Sequence, residues 1–391
     1  MGLIVSFSCF LKNDSANLVQ YKRDYFGGLH MADEHHTHTQ HRHHHRNRGK
    51  KHPVIKWVVG IVLVLLVAIG GYAYYLYSSV QHTVDKTYTP LKKNNGSGTT
   101  ALKYKKPVSI ALLGTDTGDL GRTETRGRTD TIIIITLNPE MKKTTMTSIP
   151  RDTMAQMVGE SGVQIQKINA AYNFGGADMA IDSISSLVNV PINYYALVNM
   201  GGLTKVVDAV GGVDVTPTLS FKYSGYTFTK GKTVHMDGDK ALAYSRMRYD
   251  DPNNDYGRQT RQRQIIMSIL KAAPSFQSLA NFKKLLSSVE SNLKTNMSFS
   301  DMTQLFTNYR AAANNVKEDH MQGVGANILN ASYQVTSTKE LQRVSDEIRS
   351  NLGLKQETIS NEETKQNALN PNFNWNGTNS TGYTVHSDNS N

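Results

Sequence analysis

One uncharged stretch divides this chain and limits what it can fold into. Trp57 to Tyr77 is a run of 21 residues without a charged side chain, which as a helix spans roughly 30 Å of hydrocarbon. Polar, weakly charged sequence follows the run, and cations precede it at Arg42, Arg46, Arg48, Lys50, Lys51 and Lys56. The positive-inside rule therefore predicts a single transmembrane helix at residues 54–77, with the N-terminus in the cytoplasm and everything from Ser78 onward outside the cell. A cleaved signal peptide is the alternative, but the run exceeds a usual signal core and lacks a clear cleavage site.

The segment before the anchor, residues 1–53, is basic and rich in histidine. Its histidines between His35 and His45 could hold zinc or nickel, but their spacing fixes no coordination geometry, so we expect a disordered cytoplasmic tail. Residues 1–30 have no periodicity, and we expect Met31 to be the biological start. The only cysteine, Cys9, lies in this leader. The exported part must therefore be stabilised by a packed core without disulfides.

The rest of the chain divides by composition into three parts. Residues 78–106 read as an extracellular linker, residues 107–353 as one domain large enough to bury a substantial core, and residues 354–391 as a disordered polar tail. Within the domain, short β-branched runs alternate with helical patterns, and the runs Thr131–Leu137 and Thr144–Ile149 flank a turn that predicts a hairpin. The order of elements predicts an α/β fold, a layered α/β/α domain with a central mixed sheet.

The densest charge in the domain lies between Arg246 and Gln264. This stretch of nineteen residues holds five arginines and the carboxylates Asp250, Asp251 and Asp255. Guanidinium groups at this density are suited to a phosphate group of high charge. Arg258 and Gln262 are four residues apart on a helix predicted to begin near Tyr256, so they should face one site. We expect Arg246 and Arg248 in extended chain after a helix that ends at Tyr244, and Arg261 and Arg263 as solvated surface charges.

Two aspartates flank neighbouring predicted strands. Asp116 directly follows the first strand and Asp130 directly precedes the second, so both can meet at one end of the sheet. Two carboxylates beside arginines form a hard oxygen site that suits Mg²⁺, or Mn²⁺, together with phosphate oxygens. The alternative is that Asp116 caps a turn and Asp130 pairs with Arg128.

Arg151 follows the third strand, which Pro150 ends because proline cannot extend a sheet ladder. This position sets Arg151 at the margin of the sheet. An isolated Arg-Asp pair, such as Arg151 with Asp152, is usually a surface ion pair of small energetic value.

Seven short motifs in order carry a resemblance to a known family. They are GTD, RTDT, SIPRDT, KINAAYNFGG, VDAVGGVDV, MDGDKALAYSRMR and DYGRQTRQRQ, and the match covers about Val108 to Pro274. In this order they strongly resemble the LytR-CpsA-Psr family of cell-wall ligases.

The resemblance implies an enzyme that transfers a glycopolymer of the teichoic acid or capsular polysaccharide type. The donor is linked to undecaprenyl pyrophosphate, and the product is a phosphodiester with the 6-hydroxyl of N-acetylmuramic acid in peptidoglycan. By the same resemblance, Asp116 and Asp130 hold Mg²⁺ against the pyrophosphate, and Asp255 is a candidate to activate the acceptor hydroxyl. The side chains that grip the pyrophosphate oxygens are then Arg128, Arg151, Arg246, Arg248, Arg258 and Gln262.

Two other functions fit the same residues. A polyprenyl-pyrophosphate hydrolase would use water as the acceptor in the same pocket. A membrane-bound regulator of cell-wall genes would use the basic tail, but that tail has no recognisable DNA-reading fold, so we expect no nucleic-acid partner. We expect the protein in the cell membrane as a single-pass protein with an extracellular catalytic domain.

Overall fold

A computed structural model describes residues 67–386, apart from 69, 72–73, 76, 80, 83, 94–95, 118–125, 163, 273–284, 378 and 381. The predicted cytoplasmic tail, residues 1–53, and most of the predicted anchor lie outside the described residues. None of the described helices is long and apolar enough to cross a membrane. The anchor therefore stays a prediction.

The described chain forms both helices and strands. The strands are β1 (Val108–Thr115), β2 (Thr129–Asn138), β3 (Lys143–Ser148), β4 (Met154–Gln156), β5 (Ile165–Lys167), β6 (Tyr194–Asn199), β7 (Val213–Val215), β8 (Phe221–Tyr223), β9 (Tyr226–Phe228), β10 (Val234–Met236), β11 (Leu293–Thr295), β12 (Val316–His320), β13 (Val324–Ile328), β14 (Ala331–Val335) and β15 (Asn379–Ser380). The helices are α1 (Ser97–Lys103), α2 (Ala171–Val188), α3 (Met200–Ala209), α4 (Gly238–Arg246), α5 (Asn254–Ala272), α6 (Phe299–Asn308), α7 (Thr338–Leu352) and α8 (Glu362–Ala368).

The centre of the fold is a mixed six-stranded sheet in the order β11-β6-β1-β2-β3-β12. The β1-β2, β2-β3 and β6-β11 pairs are antiparallel, whereas β1-β6 and β3-β12 are parallel. The predicted α/β fold with a central mixed sheet is confirmed, and so is the hairpin, which β2 and β3 form across the turn after Asn138.

Helices cover both faces of this sheet because its strands alternate buried residues between two apolar clusters. Leu113, Ile132 and Ile134 belong to the cluster that includes residues of α2 and α7. Val108 and Ile110 belong to the cluster formed with α1 and α6, where Ile135 and Leu137 pack at its margin. The long isoleucine run of β2 is therefore buried on both sides, as its near-continuous hydrophobicity indicates.

A second packing unit carries the arginine-rich stretch. A separate core is shared by α3, α4, α5 and the strands β7 to β10, and in it the rings of Phe221, Phe228 and Tyr244 pack against one another. α4 runs to Arg246, two residues beyond the predicted end, and the chain becomes extended only at Met247 (φ −54°, ψ 136°). Arg246 thus lies in the last helical turn, and the prediction of extended chain at that residue was wrong.

The polar segment after residue 353 is packed rather than disordered over its described part. α8 lies beside β4, and Phe373 and Tyr383 are buried in a cluster with Met154 and Tyr333. β15 pairs with β13. The prediction of a disordered tail at 354–391 was wrong for these residues, because a few widely spaced aromatic side chains supply an apolar contact that average composition hides.

The predicted linker at 78–106 is also largely structured where it is described. Val84 and Leu102 are fully buried, and residues from Ser97 form α1. Tyr88 forms a bridge with Thr295 of β11. A few apolar residues separated by polar neighbours are thus enough to pack residues 78–106 against the domain where they are described.

Candidate active site

The two predicted aspartates lie at the same end of the central sheet. β1 and β2 are antiparallel, with Thr115 opposite Thr129 beside a local irregularity, so the end of β1 adjoins the start of β2. The backbone N–H of Arg128 donates to Asp116 Oδ1 at 3.2 Å, and the backbone N–H of Asp116 donates to the Arg128 carbonyl at 3.4 Å. Asp116 therefore caps the turn between β1 and β2, as in the alternative interpretation of the sequence. It lies at the same end of the sheet as Asp130.

Asp130 is paired with Arg151 and not with Arg128. Arg151 Nη1 lies 2.6 Å from Asp130 Oδ2, and Asn169 Nδ2 lies 3.4 Å from Asp130 Oδ1. β3 ends at Ser148, two residues before Pro150, and the turn closed by the Thr153 N–H and the Pro150 carbonyl sets Arg151 at the sheet margin, as predicted. Burial lowers the pKa of Arg151, but the charges of Asp130, Asp152 and Asp255 outweigh burial, so the pKa is raised. The guanidinium belongs to a network of carboxylates and is not an isolated surface pair.

Arg258 brings α5 into the same network. It is only 6% exposed, its Nη2 lies 2.6 Å from Asp255 Oδ1, and the same nitrogen donates to the backbone carbonyl of Asp130 at 3.2 Å. Burial lowers the pKa of Arg258, and the positive charges of Arg151 and Arg248 lower it further against the opposing effect of Asp255 and Asp130. Arg151 and Arg248 are thus close enough to Arg258 for their charges to act on it, and such a cluster of cations favours the binding of an anion.

Two amide side chains that the sequence did not single out complete this geometry. Gln259 Nε2 donates to Asp255 Oδ2 at 3.0 Å, and Asn169 touches Asp130 as described. Both residues are almost fully buried, and each has an amide oxygen without a hydrogen-bond partner among the described residues. The signals available in the sequence were the position of Asn169 inside the KINAAYNFGG motif and the spacing of Gln259 four residues after Asp255.

Arg261 and Arg263 are buried, so their prediction as solvated surface charges was wrong. Arg261 is 1% exposed; it pairs with Asp251, donates to the carbonyls of Tyr244 and Met247, and lies 5.4 Å over the Phe221 ring. A side chain at Gly257 would collide with the Asp251 carboxylate, which explains glycine there. This pair stabilises the chain that connects α4 and α5.

Arg263 lies on another face of α5 and joins that helix to the sheet. Its Nε is 2.8 Å from Glu318 Oε2, and its Nη1 donates to Ser148 Oγ at 2.7 Å. Of the arginines in α5, only Arg258 therefore points to the aspartates at the sheet end. Arg258 and Gln262 do share this helix, as predicted, and the helix begins at Asn254 rather than near Tyr256.

The remaining predicted residues do not enter the hydrogen bonds of this network. Arg128 is exposed, Arg246, Arg248 and Gln262 are half-buried, and Arg248 lies 5.4 Å over the Tyr249 ring. Among the described residues, none is an ion-pair partner of Arg128, Arg246 or Arg248. Arg248 is close enough to affect the pKa of Arg258. Among the described residues, no contact joins Arg246 or Gln262 to the side chains of the network, which are Asp130, Arg151, Asp255 and Arg258.

Lys167 adds a further cation beside this group. Its Nζ is 3.2 Å from Asp152 Oδ1 and 5.5 Å from the centroid of the Tyr333 ring. Arg128 also acts on the pKa of Tyr333, so Lys167 and Arg128 lie around the same aromatic residue. The sequence had left the Lys167 motif without an assigned role.

The donor set at the sheet end is compatible with a hard divalent cation. The described residues contain no group of three or more histidine, cysteine, aspartate or glutamate side chains that could enclose a metal. Two carboxylates are nevertheless sufficient for Mg²⁺, which keeps several waters and takes phosphate oxygens as further ligands. Asp116 and Asp130 could supply these two carboxylates, because the end of β1 adjoins the start of β2.

Comparison with known proteins identifies the family of this chain. The family model described as the LytR_cpsA_psr family matches residues 74–350. A relative from Enterococcus faecalis, named polyisoprenyl-teichoic acid–peptidoglycan teichoic acid transferase TagU, is 44% identical over 79% of this chain and 100% of its own length.

Two solved structures resemble this fold. Protein gbs0355 from Streptococcus agalactiae superimposes with a TM-score of 0.61 at 36% identity, covering 67% of this chain and 93% of that one. A structure of TagT bound to LI-WTA gives a TM-score of 0.53 at 27% identity over 64% of this chain and 92% of that one. The motif order, the extent of the family match and these likenesses agree, and the chain belongs to the LytR-CpsA-Psr family.

Proposed function

We propose that this protein is a membrane-anchored extracellular phosphotransferase. It attaches a glycopolymer of the teichoic acid or capsular polysaccharide type, carried on a polyprenyl pyrophosphate, to peptidoglycan. The observation that carries the proposal is the network of Asp130, Arg151, Arg258 and Asp255, in which two guanidinium groups and two carboxylates from different elements meet at one end of the sheet.

The arginines of this network suit a pyrophosphate. Guanidinium groups bind phosphate oxygens through paired N–H donors, and partly buried sites strengthen such contacts. Arg258 carries a lowered pKa because burial and neighbouring cations oppose its charge, so an anion that enters the space between Arg258, Arg151 and Arg248 relieves this repulsion. Phosphoryl transfer depends mainly on positioning and charge neutralisation, and both are available here without a side-chain nucleophile.

Asp116 and Asp130 would hold a Mg²⁺ ion beside the phosphates. The bound ion supplies neutralisation of negative charge on the phosphate oxygens. Asp130 is already oriented for this by Arg151 and Asn169. Asp130 therefore has a defined orientation before a phosphate enters, and Arg151 can then exchange Asp130 for a phosphate oxygen.

Asp255 is the residue we assign to activation of the acceptor hydroxyl. Arg258 and Gln259 fix both of its oxygens, so the carboxylate has a defined orientation in the site. In the proposed reaction, the acceptor hydroxyl oxygen attacks the phosphorus that bears the glycan. The bond from that phosphorus to the bridging oxygen breaks, polyprenyl phosphate leaves, and the hydroxyl proton passes to Asp255.

The finer assignments rest on the family and on the relatives' names. The Enterococcus faecalis relative is named as a transferase that acts between polyisoprenyl-linked teichoic acid and peptidoglycan, and TagT has been solved with LI-WTA bound. A single anchor at residues 54–77, a phosphodiester to the 6-hydroxyl of N-acetylmuramic acid and a requirement for Mg²⁺ complete the proposal.

Product analysis tests the reaction. The full chain, reconstituted in lipid nanodiscs with Mg²⁺, is mixed with a polyprenyl-pyrophosphate glycan and peptidoglycan oligomers, and covalent products are identified by mass spectrometry. We expect a phosphodiester-linked conjugate from the native chain and none from Arg258→Ala. Arg343→Ala is the matched control, because Arg343 also pairs with carboxylates but on α7.

Two outcomes would contradict the transferase. Release of free glycan phosphate at equal rates with and without peptidoglycan would identify a hydrolase. Equal product from the native chain and Arg258→Ala would remove the network from the reaction.

A further inference from the structure

Exposed cations and apolar side chains collect at the end of the central sheet opposite the candidate active site. Three chain segments reach this end: the residues after α1, the β2-β3 turn, and the end of α6 with the turn that follows it. We call their exposed side chains the basal patch. Its members are Lys103, Tyr104, Lys105, Lys106, Met141, Lys142, Phe306 and Arg310.

Strand register and hydrogen bonds fix these segments together. Val108 of β1 is opposite Leu137 of β2, and Val316 of β12 is opposite Thr144 of β3, so the four strands begin or end at this level. Tyr309, between Phe306 and Arg310, donates its hydroxyl to the Lys106 carbonyl. Thr144 Oγ1 donates to the Ala312 carbonyl at 2.9 Å. The patch is therefore built on the rigid sheet.

The charge of the basal patch is almost entirely positive. Among the described residues, none forms an ion pair with its five cations, and Glu140 is the exposed acidic residue of the same β2-β3 turn. Two nearby lysines share one carboxylate, because Glu347 lies 2.8 Å from Lys317 and 3.6 Å from Lys143. The remaining cations face solvent and complement a negatively charged surface.

Large apolar side chains are exposed among these cations. Tyr104 is 64% exposed, Met141 55% and Phe306 44%, and Lys103 Nζ lies 5.7 Å from the centroid of the Tyr104 ring. A hydrated polyanion would satisfy the lysines but would leave these apolar groups in water. Aromatic and apolar side chains mixed with lysines are typical of surfaces that enter the headgroup region of a bilayer.

We propose that the basal patch docks the domain on an anionic lipid bilayer. A contact at the start of α6 supports a bilayer as the partner of the patch. Tyr77 is the last residue of the proposed anchor, and its ring packs on that of Phe299 with centroids 5.3 Å apart. Phe306 of the patch lies two turns further along the same helix. This step rests on the proposed anchor. The eight residues of β1 at about 3.3 Å each then hold the active site roughly 26 Å above the docked surface.

A fluorescent label in the basal patch tests this docking. The full chain with Cys9→Ser and Tyr104→Cys is labelled with an environment-sensitive dye and reconstituted in nanodiscs of phosphatidylcholine alone or mixed equally with phosphatidylglycerol. We expect a blue-shifted, brighter emission only with phosphatidylglycerol, reversed by salt. A label at Met141→Cys repeats the test without altering Tyr104. Lys230→Cys, in an exposed turn outside the patch, is the matched control and should not respond.

Charge reversal separates docking from anchoring. A triple variant of the labelled chain carries Lys103→Glu, Lys105→Glu and Lys106→Glu. We expect it to lower the ratio of docked to undocked domains by on the order of a hundredfold, while the chain stays anchored in the nanodisc. Equal emission in both lipids, an unchanged response after charge reversal, or an equal response at Lys230→Cys would overturn the proposal. A shift produced by soluble polyphosphate without anionic lipid would assign the patch to a polyanion instead. Because no donor or acceptor is present, these results are independent of the catalytic proposal.

Discussion

Replacement of Arg151 by alanine is the most direct test of the network. Arg151 is 18% exposed and bonds Asp130 at 2.6 Å, so it can exchange this partner for a phosphate oxygen without unfolding its surroundings. A hydrogen bond to a charged group contributes about 1.5 to 3 kcal/mol. If that contact forms in the transition state, Arg151→Ala should lower kcat/KM by roughly 10- to 150-fold.

The fold should tolerate the same change. A partly exposed ion pair contributes about 1 kcal/mol or less to the free energy of unfolding, which in a domain of this size corresponds to a shift in Tm of about 2 to 4 °C. Arg151→Lys keeps the charge but loses the planar pair of donors, so we expect its kcat/KM to lie between those of the native chain and the alanine variant.

The assay measures conjugate formation in nanodiscs together with thermal unfolding of each variant. Arg343→Ala provides the baseline, since its guanidinium also pairs with a carboxylate at 2.8 Å but lies on α7. Native kcat/KM in Arg151→Ala would refute the reasoning. A loss of activity that matches the loss of folded protein would assign Arg151 a structural role.

Three further predictions concern two buried groups and the proposed metal site. Arg261→Met leaves Asp251 as a buried, unpaired charge. This change should lower the free energy of unfolding by about 3 to 5 kcal/mol and Tm by on the order of ten degrees. A Tm within about two degrees of the native value would contradict this. Burial raises the pKa of Glu363 in the folded protein. The contribution of Glu363 to the free energy of unfolding is therefore complete below its unfolded pKa of about 4.3, and it is lost as the pH rises through the folded pKa. Glu363→Gln should therefore unfold at higher temperature than the native chain above pH ~5 but not at pH ~4, and a pH-independent difference would refute it. Asp116→Ala should raise the Mg²⁺ concentration for half-maximal activity about tenfold, the equivalent of roughly 1.4 kcal/mol, and an unchanged Mg²⁺ titration would argue against a metal site there.

Part of this site could be read from short stretches of sequence. The β-branched run that became β2 and the turn before β3 were local signals, so strand positions and the hairpin were predictable. Once β1 and β2 were adjacent, Asp116 and Asp130 had to meet at one end of the sheet. Pro150 likewise set Arg151 at the margin, because proline must end a central ladder.

The roles of the other arginines could not be read in this way. Arg258, Arg261 and Arg263 occupy one short stretch of α5, yet their partners include the carbonyl of Asp130, the carboxylate of Asp251 and the hydroxyl of Ser148. Arg258 and Asp130 are 128 positions apart in the chain. A helix pattern states which side chains share a face, but not which other element that face meets.

The sequence by itself determined the strand and helix order, the family motifs and the placement of two aspartates at one end of the sheet, because these follow from local periodicity and chain adjacency. Tertiary structure alone decided that Arg261 and Arg263 are buried, that Asn169 and Gln259 orient the carboxylates, and that the segment after residue 353 packs on the domain. Burial and ion pairing depend on residues that are distant in the chain and close in space. Their energies are therefore set only when the elements pack together.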